Sequence, residues 1–124
     1  MKIQEAAEND LESILIIGKE KGQVRSIDVA HRLAVSKPTV SVTMKQFREN
    51  GYIEVDCDGF LTLTEKGREI AERIYERHVV LTELLIALGV DEKTAREDAC
   101  RIEHDLSETT FARIKEHLHQ KLKQ

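Results

Sequence analysis

Ser26-Ile27-Asp28-Val29-Ala30-His31-Arg32-Leu33-Ala34-Val35-Ser36-Lys37-Pro38-Thr39-Val40 reads as one short helix, a break and the start of another. Ser26 is placed to cap the first helix, because its hydroxyl can accept from an unpaired first-turn N–H. Val35-Ser36-Lys37-Pro38 interrupts it, and Pro38 suits the first turn of the next helix, where its missing N–H costs nothing. That helix runs from Pro38 to about Asn50, buries Val40, Met44 and Phe47, and stops at Gly51. Two short helices joined by a tight turn are a helix-turn-helix.

Downstream, Tyr52-Ile53-Glu54-Val55-Asp56-Cys57-Asp58-Gly59-Phe60-Leu61-Thr62-Leu63-Thr64 alternates apolar and polar residues on both sides of an Asp58-Gly59 turn. This predicts a two-stranded hairpin, in the position of a wing. Upstream, a helix from about Ile3 to Lys21 carries the stripe Ala7, Leu11, Ile14, Leu15 and Gly18. A second stripe, Glu5, Asn9, Glu12 and Ile16, lies beside it, and such polar stripes usually face water. Thr64-Glu65-Lys66-Gly67 opens a helix to about Leu88, with Ile70, Ile74, Leu81, Leu84, Leu85 and Leu88 on its apolar face and His78 in its middle. Gly89 ends it, and Asp91 caps a helix expected from Glu92 to about Leu106. Ser107 caps the last, Glu108 to about Leu122, whose Phe111, Ile114 and Leu118 form a stripe expected at a subunit interface.

With 124 residues the chain is one domain or two small units, and its scarce aromatics leave a core of Leu, Ile, Val and Ala. No apolar run approaches the roughly 20 residues that span a bilayer, and no signal peptide precedes the first polar residues, so a cytoplasmic protein is expected. Two cysteines, Cys57 and Cys100, make no disulfide framework. The net charge of −4 hides an asymmetry. Arg25, Arg32, Lys37, Lys45 and Arg48 face a single Asp28, whereas Glu83–Glu108 carries eight acids against Lys93, Arg96 and Arg101. One part can meet phosphate and another cations.

The acidic part contains Asp98-Ala99-Cys100-Arg101-Ile102-Glu103-His104-Asp105. If helical, it sets a thiol, a carboxylate and an imidazole on one face, since residues three and four apart are neighbours. All three ligate divalent transition metals. The same residues also occur as a small core cysteine with solvent-facing Glu and His.

Together, Ser36-Lys37-Pro38-Thr39-Val40-Ser41, Leu61-Thr62-Leu63-Thr64-Glu65-Lys66-Gly67, Arg77-His78, Gly89-Val90-Asp91 and Ala99-Cys100-Arg101-Ile102-Glu103-His104-Asp105-Leu106-Ser107 resemble the diphtheria-toxin-repressor family over nearly the whole chain. The resemblance implies a mainly α fold, with a winged helix-turn-helix DNA-binding domain over 1–72 and a helical metal-binding and dimerisation domain over 73–124. It implies a homodimeric, metal-dependent repressor controlling metal-ion homeostasis, activated when a divalent ion bridges the first helix and the dimerisation domain. No enzyme activity, membrane association or small organic substrate is expected. The implied ligands are Asn9, Glu12, His78, Cys100, Glu103 and His104. Fe²⁺ or Mn²⁺ is the implied cofactor, with Co²⁺, Zn²⁺ or Ni²⁺ able to substitute in vitro.

The pattern departs from the family in places. Asn9 replaces the Asp of manganese sensors and the Met of iron sensors. Cys100 matches the iron type, and Glu12 the manganese type. Thr82 and Arg96 stand at the iron type's ancillary site, which is therefore expected to be missing. With Gln124 as the last residue, no further C-terminal module is expected, and the expected plan is that of the short manganese-transport-regulator type. For a double-stranded DNA operator, the candidates are Arg25, Ser36, Lys37, Pro38, Thr39, Ser41 and Lys45. Arg25, Lys37 and Lys45 suit phosphate, and Pro38 and Thr39 suit thymine methyls. Val42 replaces a Gln often found in the family. The alternatives are a winged-helix regulator sensing redox state through Cys57 or Cys100, which predicts peroxide-dependent binding, and a metallo-hydrolase, which needs a substrate pocket and a catalytic base.

Overall fold

The computed structural model describes residues 5–122, with side chains described to residue 120; the expected helix start at Ile3 lies outside them. The chain divides into two compact units, Met1–Arg73 and Ile74–Gln124. In the first, α1 (Glu5–Lys21) buries Leu11, Ile14 and Leu15 as their spacing predicts, and Ile17 with them. α2 (Ser26–Leu33) begins one residue off expectation, with Arg25 rather than Ser26 as its cap. Arg25 is extended because it bridges Phe60, and the next strand residue, Leu61, donates its N–H to Val24 O at 2.7 Å. Asp28 then accepts from the Arg25 N–H at 2.9 Å, so the third helical residue does the capping. Ala34 takes a left-handed φ of 56°, and the Val35 N–H returns to Ala30 O at 3.1 Å.

α3 (Lys37–Glu49) starts one residue before the expected Pro38, with Ser36 Oγ accepting from the Thr39 N–H at 3.3 Å, and it buries Val40, Met44 and Phe47 as their spacing predicts. It packs on α2 and on β1 (Ile53–Val55), which pairs antiparallel with β2 (Leu61–Leu63) in the register Ile53↔Leu63. The wing loop is wound on Asp56, whose Oδ1 accepts from the N–H groups of Asp58 and Phe60, both at 2.9 Å. Gly59 supplies the positive φ of 84°. Thr64 then locks wing to helix, donating to Gly51 O at 2.6 Å and accepting from the Gly67 N–H at 3.2 Å. A Cβ on Gly67 would run into the carbonyl oxygen of Tyr52, which explains a glycine in the first turn of α4 (Glu65–Ala87).

The boundary between the units falls within α4. The second unit adds α5 (Glu92–Ile102), capped by Asp91, and α6 (Glu108–Leu122), where Ser107 Oγ accepts from the Thr110 N–H at 3.1 Å. The α6 stripe departs from expectation: Phe111 and Leu118 are buried with Val80 of α4, and Ile114 packs against them, so the stripe is covered inside the chain. Leu88 departs too, at 69% exposed, because α4 stops at Ala87 and Gly89, φ 100°, turns the chain away. α5 ends four residues before the expected Leu106, and Glu103 to Asp105 form a turn.

Candidate metal centre and nucleic-acid face

The early end of α5 sets the geometry of the acidic motif. Glu103 is the C-cap, still in helical conformation, with its N–H donating to Ala99 O at 3.0 Å. Its side chain is 0% exposed, an expensive place for a carboxylate unless donors or a cation compensate. His78 Nδ1 lies 3.0 Å from Glu103 Oε2, and His104 Nε2 lies 3.4 Å from Oε1. Oε1 itself makes no hydrogen bond among the described residues. A carboxylate and an imidazole are O and N donors of the kind that divalent transition ions take, and the His78 and Glu103 atoms lie close enough to share one. Two of the six expected ligands, His78 and Glu103, are thus brought together within one unit, and His104 reaches the other oxygen of the carboxylate. Cys100, one turn earlier, is exposed.

The other two expected ligands are on α1. Glu12 is buried, at 7% exposed, and Asn9 is half-buried. The second stripe of α1 is therefore not the wet face that its polarity suggests. Beside it, desolvation pushes the Asp10 carboxyl up to about 6. At the positions of the ancillary site, Arg96 is exposed and paired with Glu92, and Thr82 is half-buried.

On the first unit, Lys37, Pro38, Thr39, Ser41 and Lys45 are all exposed along α3. Ser36 and Thr39 share a hydroxyl hydrogen bond of 2.7 Å, so both help hold the start of that helix. Arg25 is exposed, with its guanidinium 4.3 Å from the centre of the Phe60 ring. A cavity of about 250 Å³ between α3 and the wing is lined by Ser26, Ser41, Lys45, Arg48 and Val55 among others. Arg48 belongs to the basic segment seen in the sequence but not to the operator candidates, and the spacing Ser41, Lys45, Arg48, four and then three apart, sets it on the same helix face as two of them. Cys57 sits exposed in the wing loop.

Comparison with known proteins matches residues 2–59 to the iron dependent repressor N-terminal DNA binding domain and 64–122 to the iron dependent repressor metal binding and dimerisation domain. The Transcriptional regulator MntR of Escherichia coli O6:H1 is 36% identical over 108 residues, 87% of this chain and 70% of that protein. The chain belongs to the diphtheria-toxin-repressor family. Within it, the resemblance is to the manganese regulators of the MntR type. An uncharacterized HTH-type transcriptional regulator of Methanocaldococcus jannaschii is 34% identical over 91% of this chain and 92% of its own. A solved manganese-dependent transcriptional repressor in complex with manganese has a TM-score of 0.83 at 29% identity, covering 91% of this chain and 52% of that one. The chain thus spans about half the length of that repressor and of the solved manganese regulator SloR. Its relatives are transcriptional regulators, and among the described residues no helix is long and apolar enough to cross a membrane.

Proposed function

We propose that this chain is an Fe²⁺- or Mn²⁺-dependent transcriptional repressor of metal-ion homeostasis, acting in the cytoplasm as a homodimer on a double-stranded DNA operator. The observation that carries the reading is Glu103, wholly buried between His78 and His104. In this reading His78, Glu103 and His104 form the centre of the metal site, Cys100 adds a thiolate, and Glu12 and Asn9 contribute from α1. A bound divalent ion supplies positive charge that offsets the buried carboxylates and favours one arrangement of the helices, with a coupling of about 1–3 kcal/mol. Cys100 pulls the preference toward Fe²⁺, and the carboxylates toward Mn²⁺.

The exposed face of α3 enters the major groove in this reading. Lys37, Lys45 and Arg48 meet phosphate, while Pro38, Thr39 and Ser41 approach base edges. A gel-shift titration with a palindromic operator tests the whole proposal. Mn²⁺ or Fe²⁺ should tighten binding, and Glu103→Ala with Cys100→Ala should abolish the response. Metal-independent affinity would sink it. Binding governed by peroxide instead would favour the cysteine-oxidation alternative.

A further inference from the structure

Arg77 is a buried cation for which the proposed function has no use so far. It precedes His78 on α4 and is 6% exposed. Its Nη1 donates to Glu103 O at 3.0 Å and to Leu106 O at 2.6 Å. Its guanidinium carbon lies 5.3 Å from the centre of the Phe111 ring, and its Nε makes no hydrogen bond among the described residues. Burying a charge in this way is weak as a source of stability, since a packed apolar side chain often does as well.

Its neighbour shows what it is for. Arg77 and His78 are consecutive, and both hold Glu103, one by the main-chain carbonyl and the other by the carboxylate at 3.0 Å. The last carbonyls of a helix have no intrahelical partner, so past Ile102 the ladder of α5 no longer fixes the chain. That is where Glu103 and His104 stand. Arg77 bonds the carbonyl that begins this turn, of Glu103, and that of Leu106 just after it, at the negative end of α5, where a cation is favoured. Its cation–π contact with Phe111 adds the start of α6 to the same clamp.

We propose that Arg77 is a positioning residue of the metal centre. By clamping the main chain of the turn, it presets the directions in which Glu103 and His104 offer their ligand atoms. The inference rests on the proposed role of His78, Glu103 and His104. Lysine can still donate to the carbonyls but has no planar group to lie on Phe111.

The test uses the full chain as wild type, Arg77→Met, Arg77→Lys and Glu103→Ala. Mn²⁺ affinity is read by electron paramagnetic resonance, and ligand geometry by the Co²⁺ visible band. Arg77→Met should weaken Mn²⁺ by about 10- to 100-fold, the usual effect of losing a partner behind a ligand. It should also change the shape and intensity of the Co²⁺ band, with wild-type helix content and sedimentation mass, and Arg77→Lys should recover part of the affinity. Wild-type affinity and an unaltered band in Arg77→Met overturn the inference. Should that variant not fold, ¹⁵N resonances of the wild-type guanidinium decide: slow rotation that responds to Cd²⁺ is expected, and free rotation overturns the clamp. Glu103→Ala separates the two levels. If it keeps wild-type Mn²⁺ affinity, the metal reading falls and this inference with it. If it loses Mn²⁺ while Arg77→Met does not, only the clamp falls.

Discussion

Gly67 is the residue on which the joint between wing and α4 depends. The Tyr52 carbonyl occupies the space that any side chain at 67 would need, and backbone cannot move aside as a flexible side chain can. Gly67→Ala should therefore cost about 1–3 kcal/mol despite alanine's better helix propensity, a lower melting temperature being the readout. An unchanged melting temperature would show that the joint gives way. Asp28 makes a pH-dependent contribution. The hydrogen bond from the Arg25 N–H, and then that from Lys21, hold its carboxyl below the usual value. A depressed folded pKa means that its stabilisation is present above about pH 4 and is lost as pH falls through the lower folded value. Asp28→Asn should weaken the protein by roughly 0.5–1 kcal/mol at pH 7 and flatten the acid limb in urea melts between pH 5 and 2. An acid limb as steep as wild type would remove Asp28 from the account.

Among the elements, α3 is the one whose surface matters most beyond the fold. Its buried face, Val40, Met44 and Phe47, follows directly from spacing, so its outward face was legible too. If Lys45 and Arg48 meet phosphate, changing each to Gln should lower the salt slope of operator binding by about 1 per residue in each protomer. Relative preference among operator sequences should hardly move. A loss of sequence preference with an unchanged slope would reassign them to base contacts. α5 teaches the opposite lesson. Its start at Asp91 could be read from a capping residue, but its end could not. At that end Arg77, 26 positions away in the chain from Glu103, donates to a carbonyl that regular helix would otherwise use, a contact that no local pattern announces. For α6 the periodicity of Phe111, Ile114 and Leu118 was correct and only its partner was wrong, because Val80 covers it from within the same chain.

For the whole molecule, ligand binding and folding are linked. Mn²⁺ that binds only the folded protein should raise its stability by about 2.7 kcal/mol at 100 times the dissociation constant, and a chelator should reverse this. In the proposed site Asn9 would offer an uncharged oxygen where a carboxylate would bind a hard ion more tightly. Asn9→Asp should tighten Mn²⁺ by roughly 3- to 10-fold while changing Zn²⁺ less. Calorimetric titration showing no gain for Mn²⁺ would remove position 9 from the ligand set.

Periodicity, capping residues and turn glycines are local, and they were enough to determine the order of helices and wing and the residue types available for a metal. Hydrogen bonds and burial act between residues far apart in sequence, and only tertiary structure could decide them. It made Glu103 the wholly buried carboxylate between two histidines, left Cys100 exposed, covered the α6 stripe, and set Arg77 and His78 to grip one residue from two sides. Spacing on a helix says which side chains can share a face. Which of them leaves water depends on what packs against that face, and no local pattern carries that information.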